Sequence, residues 1–399
     1  MPTSGALAVR PVASRRDLGA FVDLPFRLHG DQPHWIPPLK LERKLFLSRK
    51  QNPYFEHGTA EYFLAERDGV VVGRITAQID PLFNDFQDNT WGNFGFLEFE
   101  DDADVLEALL TAAGDWLRER GRERMVGPMG FALNDEPGIL IDGFDIDPMF
   151  QQPWHPPYYQ QRIEEAGLTK AMDLLMWKLT IDDREKVHPG IFAAAKTATD
   201  EHGLKLVKMS RRSVGKDIRV DFHRLFNAAW ARNWGFRPYS ARDLKVMGQE
   251  IQLVFSRHWF MKAVDPQGKT VGMAITIPDL NQALRAANGR LFPFGLVRLL
   301  IARAKIDQIR VGWLGIEPDM QHTGAAALLY VEHFENARHL RQDKGEMGWI
   351  LETNKPMNWA MQGMGGEVVK RYRMYDRPLM DGVESLPLPV AWDAPAATA

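Results

Sequence analysis

The sequence predicts an α/β (α+β) protein built from two tandem domains, each a mixed central sheet flanked by helices. Three observations predict it. A strand–turn–strand pattern at 61–77 recurs at 259–276, about two hundred residues later. In both halves an apolar strand follows, and then a stretch with helical spacing of apolar residues, 104–120 in the first half and 325–340 in the second. The 399 residues exceed what one hydrophobic core usually serves, and their hydrophobic and charged fractions, 45% and 25%, are those of ordinary globular proteins. Self-similarity at this distance means duplicated domains rather than a short repeat array. The expected division is 1–182 and 183–399, where Asp182-Asp-Arg-Glu-Lys186 breaks the apolar pattern.

The elements follow in chain order. The first hairpin turns at Asp68-Gly69, a pair suited to the left-handed backbone of a two-residue turn. The strand 91–99 then meets Glu98-Phe-Glu-Asp-Asp-Ala-Asp104 before its helix. Carboxylates suit the positive end of a helix but repel a phosphate. In the second half, Pro278-Asp279-Leu-Asn281 closes the hairpin strand, and Asp279 is placed either to face a substrate amine or to cap the next helix. The strand 310–316 ends before Pro318, and Gln321-His322-Thr323-Gly324-Ala325-Ala326 opens the following helix. There the first backbone N–H groups lack intrahelical partners, and small side chains let an anion reach them. A last strand, 347–354, gives way to a helix at 355–363.

The spacing of that turn resembles the acyl-CoA-binding motif of the GNAT superfamily, Gln/Arg-x-x-Gly-x-Gly/Ala. Pro318 after the strand, the helix that follows and the strand at 347–354 agree with the same pattern. The resemblance implies that the two strands splay apart and that the pantetheine of acyl-CoA lies in the gap. Leu314, Gly315, Ile316 and Asn354 would then line the gap, with Gln321 to Ala326 around the pyrophosphate. It also implies a catalytic tyrosine about seven residues after Asn354, but Met361 stands there. Tyr372 and Tyr375, on the next strand, are the substitutes. Glu352 is the preferred proton acceptor and Glu317 the reserve, because the family's usual base positions hold Arg310 and Gly312. In the first half the carboxylates before the helix imply a degenerate CoA motif.

Further candidates fall in loops rich in glycine, proline and aromatics, which often line pockets. They are Asn134 and Glu136 in 127–144, Tyr158 in 152–159, Asn233 and Trp234 near the helical stripe Asn227, Trp230 and Trp234, and Asn281 beside Asp279. The same residues serve equally as turns, packing and caps, and His155 by itself signals nothing. The order of these motifs along the whole chain resembles a group of bacterial tandem GNAT-like proteins. That resemblance implies fatty acyl transfer from acyl-CoA to the amine of a sphingoid base or related lipid amine, which is ceramide synthesis. A non-catalytic acyl-CoA-binding protein, an N-acetyltransferase of small amines and an aminoacyl-tRNA-dependent transferase remain the alternatives.

Composition narrows the classes. There is no cysteine, so disulfides and thiolate chemistry are excluded. The net charge of −3 gives no broad basic surface for nucleic acid. No metal is expected. The first ten residues lack the apolar stretch of a secretion signal, and no uncharged run is long enough to span a bilayer. A cytoplasmic location is therefore expected. Residues 291–306 combine Arg298, Arg303 and Lys305 with Phe292 and Phe294, so a peripheral contact with the inner membrane is expected there.

Overall fold

The computed structural model describes residues 5–181 and 183–392; Asp182, at the expected junction, lies outside them. In chain order the first elements are β1 (Leu7–Pro11), α1 (Arg15–His29), α2 (Lys40–Phe46), β2 (Thr59–Arg67), β3 (Val70–Ile79), α3 (Pro81–Gln87), β4 (Gly92–Phe99), α4 (Ala103–Arg118), β5 (Arg124–Gly127), β6 (Ile139–Asp142), α5 (Tyr158–Glu165) and β7 (Thr169–Thr180). There follow α6 (Pro189–Asp200), β8 (Lys205–Lys208), and α7 (Val214–Asp217), which runs through a π turn over Ile218–Phe222 into α8 (His223–Ala229). The chain continues with α9 (Ala241–Val254), β9 (Phe260–Val264), β10 (Thr270–Pro278), α10 (Asn281–Ala287) and α11 (Gly295–Arg303). It ends with β11 (Gln308–Ile316), α12 (Ala325–Ala337), β12 (Lys344–Leu351), α13 (Lys355–Gly363) and β13 (Glu367–Pro378).

Packing groups these elements into two compact units. The first takes residues up to Leu174 together with Asn281–Ala302 and Lys370–Pro389. The second takes Leu175–Leu280, Arg303–Val369 and the described residues from Val390. Two segments beyond residue 182 thus pack with the first unit.

The first unit orders its strands β1-β2-β3-β4-β5-β13, with β6 also on β13. The β2–β3 hairpin turns at Asp68 and Gly69, both with positive φ, as the dipeptide predicts. Helix α4 starts at the Asp102 cap and presents Val105, Leu106, Leu109, Leu110, Ala113 and Leu117 at helical spacing. These pack with Phe63, Ile75, Phe94 and Phe99 of the sheet in one buried cluster. Asn281–Ala302 is fixed here by Asn281 Nδ2 on the Pro148 carbonyl (2.8 Å), by Arg285 with Asp147 (2.7 Å) and by Lys40 N–H on the Gly289 carbonyl (3.0 Å).

The second unit orders its strands β7-β12-β11-β10-β9-β8. Hairpin β9–β10, strand β11, helix α12 and parallel strand β12 repeat the plan of β2–β3, β4, α4 and β5. Two boundaries differ from expectation. The strand expected over 347–354 lies at Lys344–Leu351, because Asn354 leaves it to cap α13, its side chain accepting from Met357 N–H. Helix α8 ends at Ala229, with Trp234 in a turn beside Gly235 at φ +71°, so Asn227, Trp230 and Trp234 do not share one helical face. Among the described residues, no helix is long and apolar enough to cross a membrane.

Candidate active site

The site grows from a change of register. Ile275 of β10 faces Trp313 while Thr276 faces Val311, so Gly312 is an extra residue in β11. Such a bulge sharpens the local twist and bends the strand. Strands β11 and β12 pair in parallel from Gln308/Lys344 to Val311/Met347, and no further. Beyond that point β11 stays on β10 and parts from β12. Alternate residues of Gly312 to Ile316 therefore turn their N–H and C=O groups toward a gap rather than a strand. At the closed end Arg310, opposite Glu346, donates to the Gly348 carbonyl (3.2 Å) and lies over Trp349 at 4.4 Å. A Cβ on Gly315 would come 2.3 Å from the Trp230 ring, so glycine allows that indole to lie against β11.

Helix α12 starts at the open end of this fork. Residues Pro318–Thr323 form a 3-10 turn, Gly324 takes φ +81°, and no side chain caps the helix. The first intrahelical bond is Leu328 N–H to the Gly324 carbonyl (3.0 Å), so the N–H groups of Ala325, Ala326 and Ala327 precede it. Thr323 does not serve as cap, since its hydroxyl donates to the Met320 carbonyl at 2.6 Å. Gly324 is required twice, by its φ and by the Ala194 carbonyl that would lie 2.1 Å from a Cβ. Gln321 and His322 are exposed beside the turn, and Ala326 is half-buried. An uncapped helix start with small residues and a strand gap leading from it fits the phosphates and arm of an acyl-CoA.

The expected catalytic residues fall in different places. Glu352, buried, follows β12 at the open end of the fork, and its carbonyl accepts from Trp392 N–H at 2.6 Å. It lies five residues past Met347, roughly 16 Å along a strand from the closed end. Glu317 is held by Arg224 and by Lys269 (2.9 Å). Tyr375 lies in the core of the first unit, where its hydroxyl donates to Glu164 (3.1 Å). Burial, and then the charge of Glu164, push that hydroxyl far above the usual tyrosine range. Tyr372 is also in the first unit, donating to the Pro153 carbonyl (3.1 Å). Sequence reasoning missed Asn358, fully buried, which accepts from Trp177 Nε1 (2.9 Å) and donates to the Leu351 carbonyl (3.1 Å). It ties α13 to the end of β12; its place four residues after the capping Asn354 was the available signal. Glu346, buried at the closed end, was missed because nothing in the sequence marks where the strands part.

The acceptor candidates divide between the units. In the first, Glu136 pairs with Arg43 (2.9 Å), Tyr158 donates to the Phe99 carbonyl (2.6 Å), Asn281 holds Pro148, and Asn134 is half-buried. In the second, Asn233 N–H donates to the Trp230 carbonyl (2.8 Å), with Trp234 in the same turn. Asp279 is buried after β10, whose Pro278 faces Ile309 near the closed end of the fork.

The first unit has the same fork, filled. Strands β4 and β5 pair only at Gly92/Met125 and Asn93/Val126, and Phe96/Leu97 together face Ile75 as a bulge. The chain leaving β5 then lies against β4: Met129 N–H donates to the Phe94 carbonyl (3.0 Å), and a Cβ on Gly95 would sit 1.6 Å from the Met129 carbonyl. The N-terminus of α4 is taken by Asp102, which accepts from Asp104 N–H (2.9 Å) and Val105 N–H (3.3 Å) and pairs with Arg67 (2.6 Å). Nearby, Glu98 bonds His29 and Tyr159, both at 2.7 Å. Burial pushes its carboxyl up, but His29 and Arg74 outweigh that and hold it at about 2.

No family model matches the chain. It is 34% identical over 381 residues to protein YghO of Escherichia coli (strain K12), covering 93% of this chain and 95% of that one. It is 33% identical over 387 residues to the bacterial ceramide synthase of Caulobacter vibrioides, covering 94% and 99%. Among solved structures, a tandem GNAT protein from the clavulanic acid biosynthesis pathway aligns with TM-score 0.55 at 12% identity, over 95% of this chain and all of that one (100%). A GCN5-related N-acetyltransferase from Sphaerobacter thermophilus aligns with TM-score 0.51 at 13% identity, over 95% and 97%.

The chain belongs to the family of the bacterial ceramide synthase, and its fold is that of tandem GNAT proteins.

It is an acyltransferase of that family, with two GNAT-like units of mixed sheet and flanking helices. Among its described residues no group of three or more His, Asp or Glu is placed to hold a metal.

Proposed function

We propose that this tandem GNAT protein is an acyl-CoA-dependent N-acyltransferase whose acceptor is the amine of a sphingoid base or a related long-chain lipid amine. One observation carries the acyl-CoA part: the uncapped start of α12 opens onto the gap between β11 and β12, whereas the matching gap of the first unit is filled by its own backbone. The N–H groups of Ala325 to Ala327 hold the pyrophosphate, with Gln321, His322 and Thr323 around it. Gly312 to Ile316 offer backbone groups along the arm, among them donors for a carbonyl that gains negative charge. Bound acyl-CoA supplies an activated thioester carbonyl. The protonated amine must lose a proton before it attacks, and buried carboxylates beside the gap accept it; attack forms the amide C–N bond, the thioester C–S bond breaks, and CoA leaves with its sulfur protonated. Glu352 is the first candidate, and Glu346, at the closed end, is the second. The lipid nature of the acceptor rests on the likeness to the bacterial ceramide synthase. The protein works in the cytoplasm or at the inner face of the membrane.

A binding-only role is favoured by one observation: Met361 stands at the family's tyrosine position, while Tyr372 and Tyr375 are engaged inside the first unit. Incubation with acyl-CoAs of graded chain length and a panel of short- and long-chain amines, read by mass spectrometry, decides between them. A mass shift equal to the acyl group on a long-chain amine is the expected result. Tight acyl-CoA binding without any product establishes the binding-only role.

A further inference from the structure

Helix α11 has no buried residue. Its Leu296, Val297, Leu300 and Ile301 are exposed, as are Phe292 (76%) and Phe294 (66%) just before it. So dense a run of uncovered large apolar side chains marks a contact surface rather than a solvated helix. Yet its base is firmly mounted: Ala283 and Ala287 of α10 are buried, Gly289 leaves room for the Phe26 ring, and its carbonyl receives Lys40 N–H. Helix α2 begins at that same hydrogen bond and exposes Leu41 (58%) and Leu45.

Charge identifies the partner. Between Asp279 and Asp307 there is no acidic residue, but there are Arg285, Arg290, Arg298, Arg303 and Lys305, in a chain whose net charge is −3. Arg290, Arg298 and, on α2, Lys44 are exposed beside the apolar residues. Apolar side chains enter the acyl boundary of a bilayer while cations meet anionic headgroups. A second copy of this chain would bring like charges together.

We infer that α11, with Phe292 and Phe294, and α2 form a docking surface for an anionic lipid bilayer. The inference deepens the proposed lipid-amine function by naming where the membrane that holds the acceptor is met. Two forces act there: the cations attract the protein, and the phenylalanines hold it once it arrives.

Co-sedimentation with phosphatidylglycerol/phosphatidylcholine vesicles, and with pure phosphatidylcholine vesicles, is the test. Wild-type protein should bind the anionic vesicles, and high salt should weaken that binding. The triple variant Lys44→Gln, Arg290→Gln, Arg298→Gln should lose about a hundredfold in affinity for anionic vesicles only. The variant Phe292→Ser, Phe294→Ser, Ile301→Ser should lose at least about tenfold at any salt, since its apolar contact area is gone. All three positions of that variant are exposed, so the fold should persist, and light scattering of each protein reports self-association. Wild type that ignores anionic vesicles at low salt, or that is a dimer which the serine variant splits, overturns the inference. Acylation of a long-chain amine dispersed in detergent, without vesicles, is measured alongside. If it proceeds while vesicle binding fails, docking is wrong and the proposed function stands; if vesicles bind and no amine is acylated, the reverse holds.

Discussion

The two units carry the same strand–helix–strand plan, and in both a bulge lies just beyond the point where the fork opens. In the second unit the gap between β11 and β12 continues beyond Val311/Met347 and the start of α12 has no side-chain cap. In the first, Gly127 to Met129 lie across the gap, and Asp102 occupies the anion position at the start of α4. A duplicated fold thus keeps its geometry while the chain itself takes both places a ligand would fill. The anion position needs only one carboxylate to close it, and the gap needs only a turn of backbone.

The largest effect should come from making the second unit resemble the first. Ala326→Glu places a carboxylate in the first turn of α12, where the dipole welcomes it and a pyrophosphate does not. CoA affinity by calorimetry should fall by roughly a hundredfold or more, with the melting temperature unchanged. Gly324 is the wrong residue for this test, because any side chain there meets the Ala194 carbonyl. Unchanged affinity in folded Ala326→Glu places the phosphates elsewhere.

Proton transfer is the next effect in size. Glu352→Gln should lower turnover by about 10²–10⁴ near pH 7, with recovery at high pH where the amine is free. Glu346→Gln is the parallel variant at the closed end of the fork. Full loss in the latter with none in the former moves the role to Glu346. Glu317→Gln should leave turnover near normal, since Arg224 and Lys269 already hold that carboxylate.

The reverse change is smaller. Asp102→Ala removes the α4 cap and the Arg67 pair, and should cost about 1–2 kcal/mol in chemical denaturation. It should bring no CoA binding to the first unit, because the backbone of Gly127 to Met129 still fills the gap. A second molecule of CoA bound by this variant would mean that Asp102 alone closes that site.

Acid gives the mildest distinction. Burial holds His155 in the first unit and His333 in the second at about 4, both below the ordinary histidine value. The unfolded chain takes up those protons near pH 6.5, so each histidine makes folding less stable as pH falls from about 6.5 to 4, by up to about 3 kcal/mol. Glu98, in the first unit, adds a lower window: its stabilisation is full above about pH 4.5 and is lost as pH falls toward 2. Glu98→Gln should reduce the loss of melting temperature below pH 4.5 without abolishing it, since Asp102 and Asp173 are held low as well. It should deepen the loss from 6.5 to 4.5 slightly, because the Glu98 charge partly offsets the effect of burial on His155.

Much of this was legible because it is local. Asp68-Gly69 states its own turn, and the small residues from Gly324 to Ala326 state a helix start. The duplicated plan could be read from two hairpins and the helices after them. What escaped depends on residues far apart in sequence. Nothing in Pro128 to Met129 says that this backbone meets Phe94, and nothing in Tyr375 says that Glu164 receives its hydroxyl. The end of β12 differs from expectation because Asn354 is as compatible with a strand as with the cap it becomes. Asn281–Ala302 read as part of the second half, yet its anchors, Pro148, Asp147 and Lys40, all precede residue 182.

Strand β13 has a consequence for how the chain comes into being. It pairs with β5 from Tyr375/Gly127 to Pro378/Arg124, and its Asp376 is buried against Arg124. A ribosome therefore releases the first unit without its closing strand and must add about two hundred residues before supplying it, roughly 10–40 s at ordinary rates. During that interval β5 has an open edge, a template for pairing with another chain. An isolated fragment ending near residue 182 keeps that edge permanently and should aggregate. A variant in which 370–389 is transposed ahead of residue 5 would let the first unit close as it emerges.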